Sequence, residues 1–123
     1  KTDLLDLMDA VVDGKLEQFE GKVEWDTRHA VCVVAAAPGY PANPRKGDQI
    51  TGLDEVSAIP DVQVFHAGTR REGNRVLTDG GRVLGVTALG ETLAEARQKA
   101  YESIKKIQFR GIQYRSDIGL RDR

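Results

Sequence analysis

The stretch Arg82–Leu89, RVLGVTAL, runs into the segment Thr92–Ile107 with only Gly90 and Glu91 between them, and this junction limits the folds open to the chain. The first stretch is short, apolar and rich in valine and leucine, which predicts a strand. Thr92 and Glu95 stand in the T-x-x-E spacing of a capping box, where each side chain satisfies the other residue's backbone N–H. Leu93, Ala96, Ala100, Ile104 and Ile107 then recur at steps of three and four, so one face of the helix is apolar. Glu95, Arg97, Gln98, Lys99, Glu102 and Lys105 cover the other face. A strand that feeds a one-sided helix predicts a helix lying over the sheet it has just left. Gly85, in the middle of the strand, predicts a bulge or a close backbone approach.

The remaining elements follow from the same signals. Asp3–Val12 reads as a short helix, capped by Thr2 or Asp3 and ended by Gly14, with Leu4, Leu5, Met8, Val11 and Val12 as its stripe. Lys15–Arg28 is mixed and charged, a connection with an edge strand in it. Ala30–Ala37 is continuously apolar and valine-rich, which predicts a buried strand. Pro38–Gly52, PGYPANPRKGDQITG, holds three prolines and three glycines and predicts irregular backbone, long enough for a functional loop. Asp54–Ile59 reads as one or two helical turns and Val62–Ala67 as a strand. Arg71–Asn74 is a turn into a strand over Arg75–Thr78, and Asp79-Gly80-Gly81 is a second tight turn. The expected fold is α+β: a mostly antiparallel sheet, barrel-like or sandwich-like, covered by one long helix.

Size and composition exclude several classes. The 123 residues suffice for one modest core, with 40% hydrophobic and 30% charged residues. A net charge of -1 gives no bulk attraction to nucleic acid or membrane, and neither is expected as a partner. No apolar run has membrane-spanning length and no signal-peptide pattern is visible, so a cytoplasmic protein is expected. The single cysteine, Cys32, cannot form an internal disulfide and reads as a buried reduced thiol. The chain begins at Lys1 with its one methionine at Met8, which suggests a trimmed tag or part of a longer polypeptide.

Catalytic constellations are scarce. His29 and His66 are far apart, one cysteine gives no zinc spacing, and there is no P-loop or nucleophile elbow. No catalytic residue and no metal ligand is expected. Glycine-flanked polar sites remain. In HAGT, His66 to Thr69, the histidine is a ligand contact or a structural ring bonded to a carbonyl. In GGR, Gly80 to Arg82, the arginine clamps a phosphate or carboxylate, or is a solvated turn residue. The GYP turn with Arg45-Lys46-Gly47-Asp48 is a ligand loop or only an ordered turn. In YRSDIG, the pair Arg115 and Asp117 between Tyr114 and Ile118 predicts a tail that docks. Trp25 reads as a core or interdomain anchor.

The segments AVCVV, GYP, KGDQITGLDE, VFHAGT, GGRVLGVTALG and YRSDIG, in this order, resemble the C-terminal domain of the glycinamide ribonucleotide synthetases (phosphoribosylamine–glycine ligases), which are ATP-grasp enzymes. That resemblance implies part of a ligase of de novo purine biosynthesis, joining glycine to 5-phosphoribosylamine through a glycyl phosphate. It implies ATP and Mg2+ (or Mn2+) bound upstream of this segment, where the family's R-x-G-D-P-E stretch lies, and no cofactor here. LLDLMDAVVDGKL is similar to the helix closing the ATP-grasp core. Residues 1–20 are then that helix and a linker, and residues 21–123 the C-terminal domain. The implied substrate contacts are His66, Gly68, Thr69, Gly81 and Arg82. The implied partners are 5-phosphoribosylamine, glycine, ATP and the domain's own ATP-grasp core, and the fragment alone is expected to be inactive. The competing readings are the equivalent domain of another ATP-grasp enzyme, a stand-alone module for a phosphorylated metabolite, and a purely structural domain.

Overall fold

The computed structural model describes residues 1–120. Its elements are α1 (Leu4–Val12), a 3-10 turn (Leu16–Phe19), β1 (His29–Ala36), β2 (Gln49–Ile50), α2 (Leu53–Ser57), β3 (Val62–His66), β4 (Thr69–Glu72), β5 (Arg75–Thr78), β6 (Arg82–Gly90) and α3 (Leu93–Ile104). They form two antiparallel three-stranded sheets, β1-β6-β3 and β2-β5-β4. The expected α+β class holds, as two open sheets rather than a closed barrel.

The strand-to-helix junction is built as its residues dictate. The Thr92 hydroxyl accepts from the Glu95 N–H at 3.2 Å, and the Glu95 carboxylate accepts from the Thr92 N–H at 3.3 Å. Ala96, Ala100 and Ile104 on α3 are fully buried against Val33 and Ala35 of β1 and Val86 and Ala88 of β6. Small side chains on both layers let helix and sheet approach closely, and Ile107, just beyond the helix, closes the core. Burying a residue such as Ile104 stabilises by about 2 kcal/mol before entropy is counted.

Several expectations are corrected. The apolar stretch at Ala30–Ala37 is not buried on both faces. Val31, Val33 and Ala35 point into the core, while Cys32 and Val34 are exposed on the other side. The helix covers only one face of the sheet, so an apolar run reads as buried although half of it is not. Cys32 is therefore an exposed thiol, not a buried one. Lys15–Arg28 holds a 3-10 turn and no strand. Trp25 is 80% exposed and anchors no core here. The bulge lies near, but not at, Gly85. Ala35 pairs with Leu84 and Ala36 with Arg82, which leaves Val83 as the extra residue. Within Pro38–Gly52 the two residues of β2 pair with β5, too short a strand for pattern reading to find.

The backbone hydrogen bonds of residues 1–24 close within that segment. Thr2 and Glu24 tie its ends together, with Thr2 N–H to Glu24 O at 3.1 Å and Glu24 N–H to the Thr2 hydroxyl at 2.7 Å. Arg28 clasps the following chain to the body. It grips Asp26 through two bonds of 3.0 and 2.9 Å and reaches Asp61 at 2.8 Å. Asp61 has φ +61°, the one non-glycine residue with positive φ among those described, and also meets Lys99 at 3.5 Å. Hydrogen bonding to Arg28 holds both carboxyls below the usual carboxylate range. A depressed carboxyl pKa contributes stability above the unfolded value of about 4 and loses it as pH falls through the folded value. Thermal melts should therefore show Arg28→Ala less stable than the unmodified chain at pH 7. The gap should close as the pH is lowered below about 4, and a gap independent of pH would contradict the ionic account.

Candidate functional site

The HAGT and GGR turns lie side by side where the chain passes between the two sheets. Gly68 donates its N–H to Arg82 O at 2.8 Å, Ala67 to Val83 O at 3.0 Å, and Asp79 to Gly68 O at 2.7 Å. The backbones touch: a Cβ on Gly68 would sit 2.6 Å from Gly80 Cα, and one on Gly81 would sit 2.2 Å from the Tyr40 ring. These glycines are needed for close approach, whatever the turns bind. Beyond this packing, the N–H groups of Gly80 and Gly81 bond to no other described residue.

The bulge decides where Arg82 points. Strict alternation would put Arg82 on the same face as Leu84, in the core. With Val83 inserted, Val83 and Leu84 are both fully buried and Arg82 turns outward. Arg82 lines a surface depression with Gly68, Gly81, Tyr40, Val34 and Gly85. It also borders an adjoining open groove of about 500 Å3, whose walls include Cys32, Val34, Tyr40, Tyr114 and Ile118. Among the described residues its guanidinium has no carboxylate or hydrogen-bond partner. Charges of the loop and the tail pair with one another: Arg45 bonds Asp48 at 2.8 Å, Lys46 approaches Asp79 at 3.8 Å, and Arg115 bonds Asp117 through contacts of 2.9 and 2.6 Å. Hydrogen bonding within the last pair lowers the Asp117 pKa and raises that of Arg115. The depression therefore presents an uncompensated cation beside free backbone donors, a combination suited to a phosphate or carboxylate.

The structure separates the sequence-predicted residues into two groups. Gly68, Gly81 and Arg82 share the depression. His66 faces a different cleft, with Asp54, Ser57 and Arg71. Its Nδ1 lies 3.0 Å from the Thr69 hydroxyl, a hydrogen bond whose donor depends on the tautomer, and no carbonyl holds the ring. Successive strand residues explain the split. Phe65 stands opposite Gly85 on the exposed face, so His66 points to the other side. No three His, Cys, Asp or Glu side chains converge among the described residues as a metal would require, and the acids nearest Arg82 are already paired. These residues do not fit a magnesium–nucleotide site.

The loop and the tail build the groove's walls. In the Pro38–Gly52 loop, Asn43 donates to Gly39 O at 2.8 Å, Arg45 to Pro38 O at 2.9 Å, and Gly47 to Thr78 O at 2.7 Å. The tail docks, as Tyr114–Gly119 predicts. Ala36 and Gln113 exchange backbone bonds of 2.8 and 3.1 Å along the free edge of β1. Tyr101 donates to Arg115 O at 2.6 Å and accepts from Ile118 N–H at 3.1 Å. Arg97 stacks on the Tyr101 ring at 4.7 Å and donates to Ile118 O and Ser116 O. The clamp formed by Arg97 and Tyr101 was not found by sequence reasoning. Its signal was there: Arg97 and Tyr101 stand one turn apart on α3, and the YRSDIG tail follows. Tyr101→Phe should cost about 1 kcal/mol and speed amide exchange at Ile118. Unchanged protection at Ile118 would show that the tail is held by other contacts.

Comparison with known proteins gives a consistent set of matches. The family described as phosphoribosylglycinamide synthetase, C domain, matches residues 30–121. A phosphoribosylamine–glycine ligase of Rhodopirellula baltica is 49% identical over 118 residues, covering 96% of this chain and 27% of the relative. One from Synechocystis is 52% identical over 118 residues, covering 96% of this chain and 28% of the relative. The crystal structure of the Thermotoga maritima phosphoribosylamine–glycine ligase is similar with a TM-score of 0.67 and 40% identity, over 88% of this chain and 27% of that one. The chain thus spans about 27% of the length of the Rhodopirellula relative.

Proposed function

We propose a function from one premise: the chain belongs to the phosphoribosylglycinamide synthetase C-domain family. In this reading it is the substrate-wall domain of a ligase that joins glycine to 5-phosphoribosylamine in purine biosynthesis, in the cytoplasm. ATP and Mg2+ (or Mn2+) are bound by the ATP-grasp core, in the part of the ligase outside this chain, and the chain alone does not ligate. Residues 1–20 belong with that core and residues 21–123 form the C-terminal domain. The exposed stripe of α1, with Leu4, Leu5, Met8, Val11 and Val12 each at least half exposed, supports a docking role for the helix.

The observation that carries the reading is Arg82, an outward-turned guanidinium without a partner among the described residues, next in sequence to Gly80 and Gly81, whose N–H groups bond to no other described residue. The phosphate of 5-phosphoribosylamine accepts from these donors, with Val34 and Gly85 lining the same depression. Gly68 and Gly81 serve by admitting the backbone, and His66 and Thr69 lie outside the depression. A charge-assisted bond of this kind contributes about 1.5–3 kcal/mol. In the intact ligase, Arg82→Ala should raise the KM for 5-phosphoribosylamine by roughly tenfold or more, with kcat and the KM for ATP little changed. Alanine at His66 or Thr69 should have a smaller effect. An unchanged KM in Arg82→Ala would sink the assignment and leave the structural-domain reading.

A further inference from the structure

We propose that Tyr40 is the positioning residue for this phosphate wall, an inference that rests on the reading of Arg82 above. The ring of Tyr40 lies against Gly81. A Cβ built on Gly81 would stand 2.2, 2.8 and 3.2 Å from Cδ2, Cε2 and Cγ of the ring. Behind it, Ala37 N–H donates to Gly81 O at 2.8 Å, and Tyr40 N–H donates to Ala37 O at 3.2 Å. Ring and amide therefore close on Gly81 as a clamp from one short segment. The base of that segment is fixed in turn, because Pro38 packs on Gly111, where a Cβ would come within 2.8 Å of the proline ring.

The need for such a clamp follows from the two glycines. Gly80 and Gly81 are adjacent, and their N–H groups have no hydrogen-bond partner among the described residues. Such a pair has more backbone freedom than any other dipeptide. Donors that stabilise a phosphate must be held to about 0.5 Å of the productive geometry. Tyr40 also lines both the depression and the groove that Arg82 borders. Its hydroxyl makes no hydrogen bond with the described residues, so the ring does the positioning.

The test is kinetic and uses the intact ligase with Tyr40→Ala, Tyr40→Phe and Arg82→Ala. Tyr40→Ala should raise the KM for 5-phosphoribosylamine by roughly fivefold, with the KM values for glycine and ATP unmoved, and Tyr40→Phe should restore the wild-type value. A merely structural tyrosine would shift all three constants or none. If Arg82→Ala raises the KM and Tyr40→Ala does not, the positioning role is wrong and the phosphate wall survives. If Arg82→Ala itself has no effect, the phosphate wall fails first. A rise in Tyr40→Phe as large as in Tyr40→Ala would mean that the hydroxyl touches substrate, which also overturns the role. Should Tyr40→Ala fail to fold, Tyr40→Leu is read by the same criteria.

Discussion

The close contact between the end of β6 and the start of α3 governs the rest of the domain. A Cβ on Gly90 would come within 2.4 Å of Ala96 N, so only glycine lets the strand turn so tightly beneath the first turn of its own helix. The capping box then starts α3 within two residues of the strand. A helix launched this way must lie over the sheet, and its alanine-lined face matches the small residues of β1 and β6. Because α3 is held there, the chain that leaves it returns along the edge of β1. It covers the unpaired backbone of that strand and raises one wall of the groove. The site is thus a consequence of how one strand meets one helix.

Much of this was legible in the sequence because local chemistry and tertiary packing agree. The Thr92–Glu95 box, the Ala96–Ala100–Ile104 stripe and the turn at Gly73 carry their signals within a few residues, whereas Asp79-Gly80-Gly81 is a crossing between the two sheets rather than a tight turn. What was not legible depends on neighbours distant in sequence. Whether Cys32 and Val34 are buried depends on the second face of the sheet, which no described helix or strand covers. The bulge falls at Val83 rather than Gly85 because pairing across β1 sets it. The candidate site was legible as glycine–polar clusters. The separation of His66 from Arg82 was not, since it follows from strand parity and from a single inserted residue.

The functional reading joins two kinds of argument. Sequence family and fold similarity assign the domain to its family. The local physics assigns a task to one arginine: a bulge turns it outward, its neighbouring cations are neutralised by their own carboxylates, and glycines beside it leave donors free. An arginine so placed gains little for the fold, because it neither packs in the core nor pairs. Its surroundings suit an anionic ligand.

The most direct measurement is the structure of the proposed intact ligase with glycinamide ribonucleotide, the product of the proposed reaction, bound. The account predicts the Arg82 guanidinium within hydrogen-bond distance of the product's phosphate, with the Gly80–Gly81 turn facing it and Tyr40 still against Gly81. A phosphate held entirely by other parts of the ligase, with Arg82 in solvent, would contradict it.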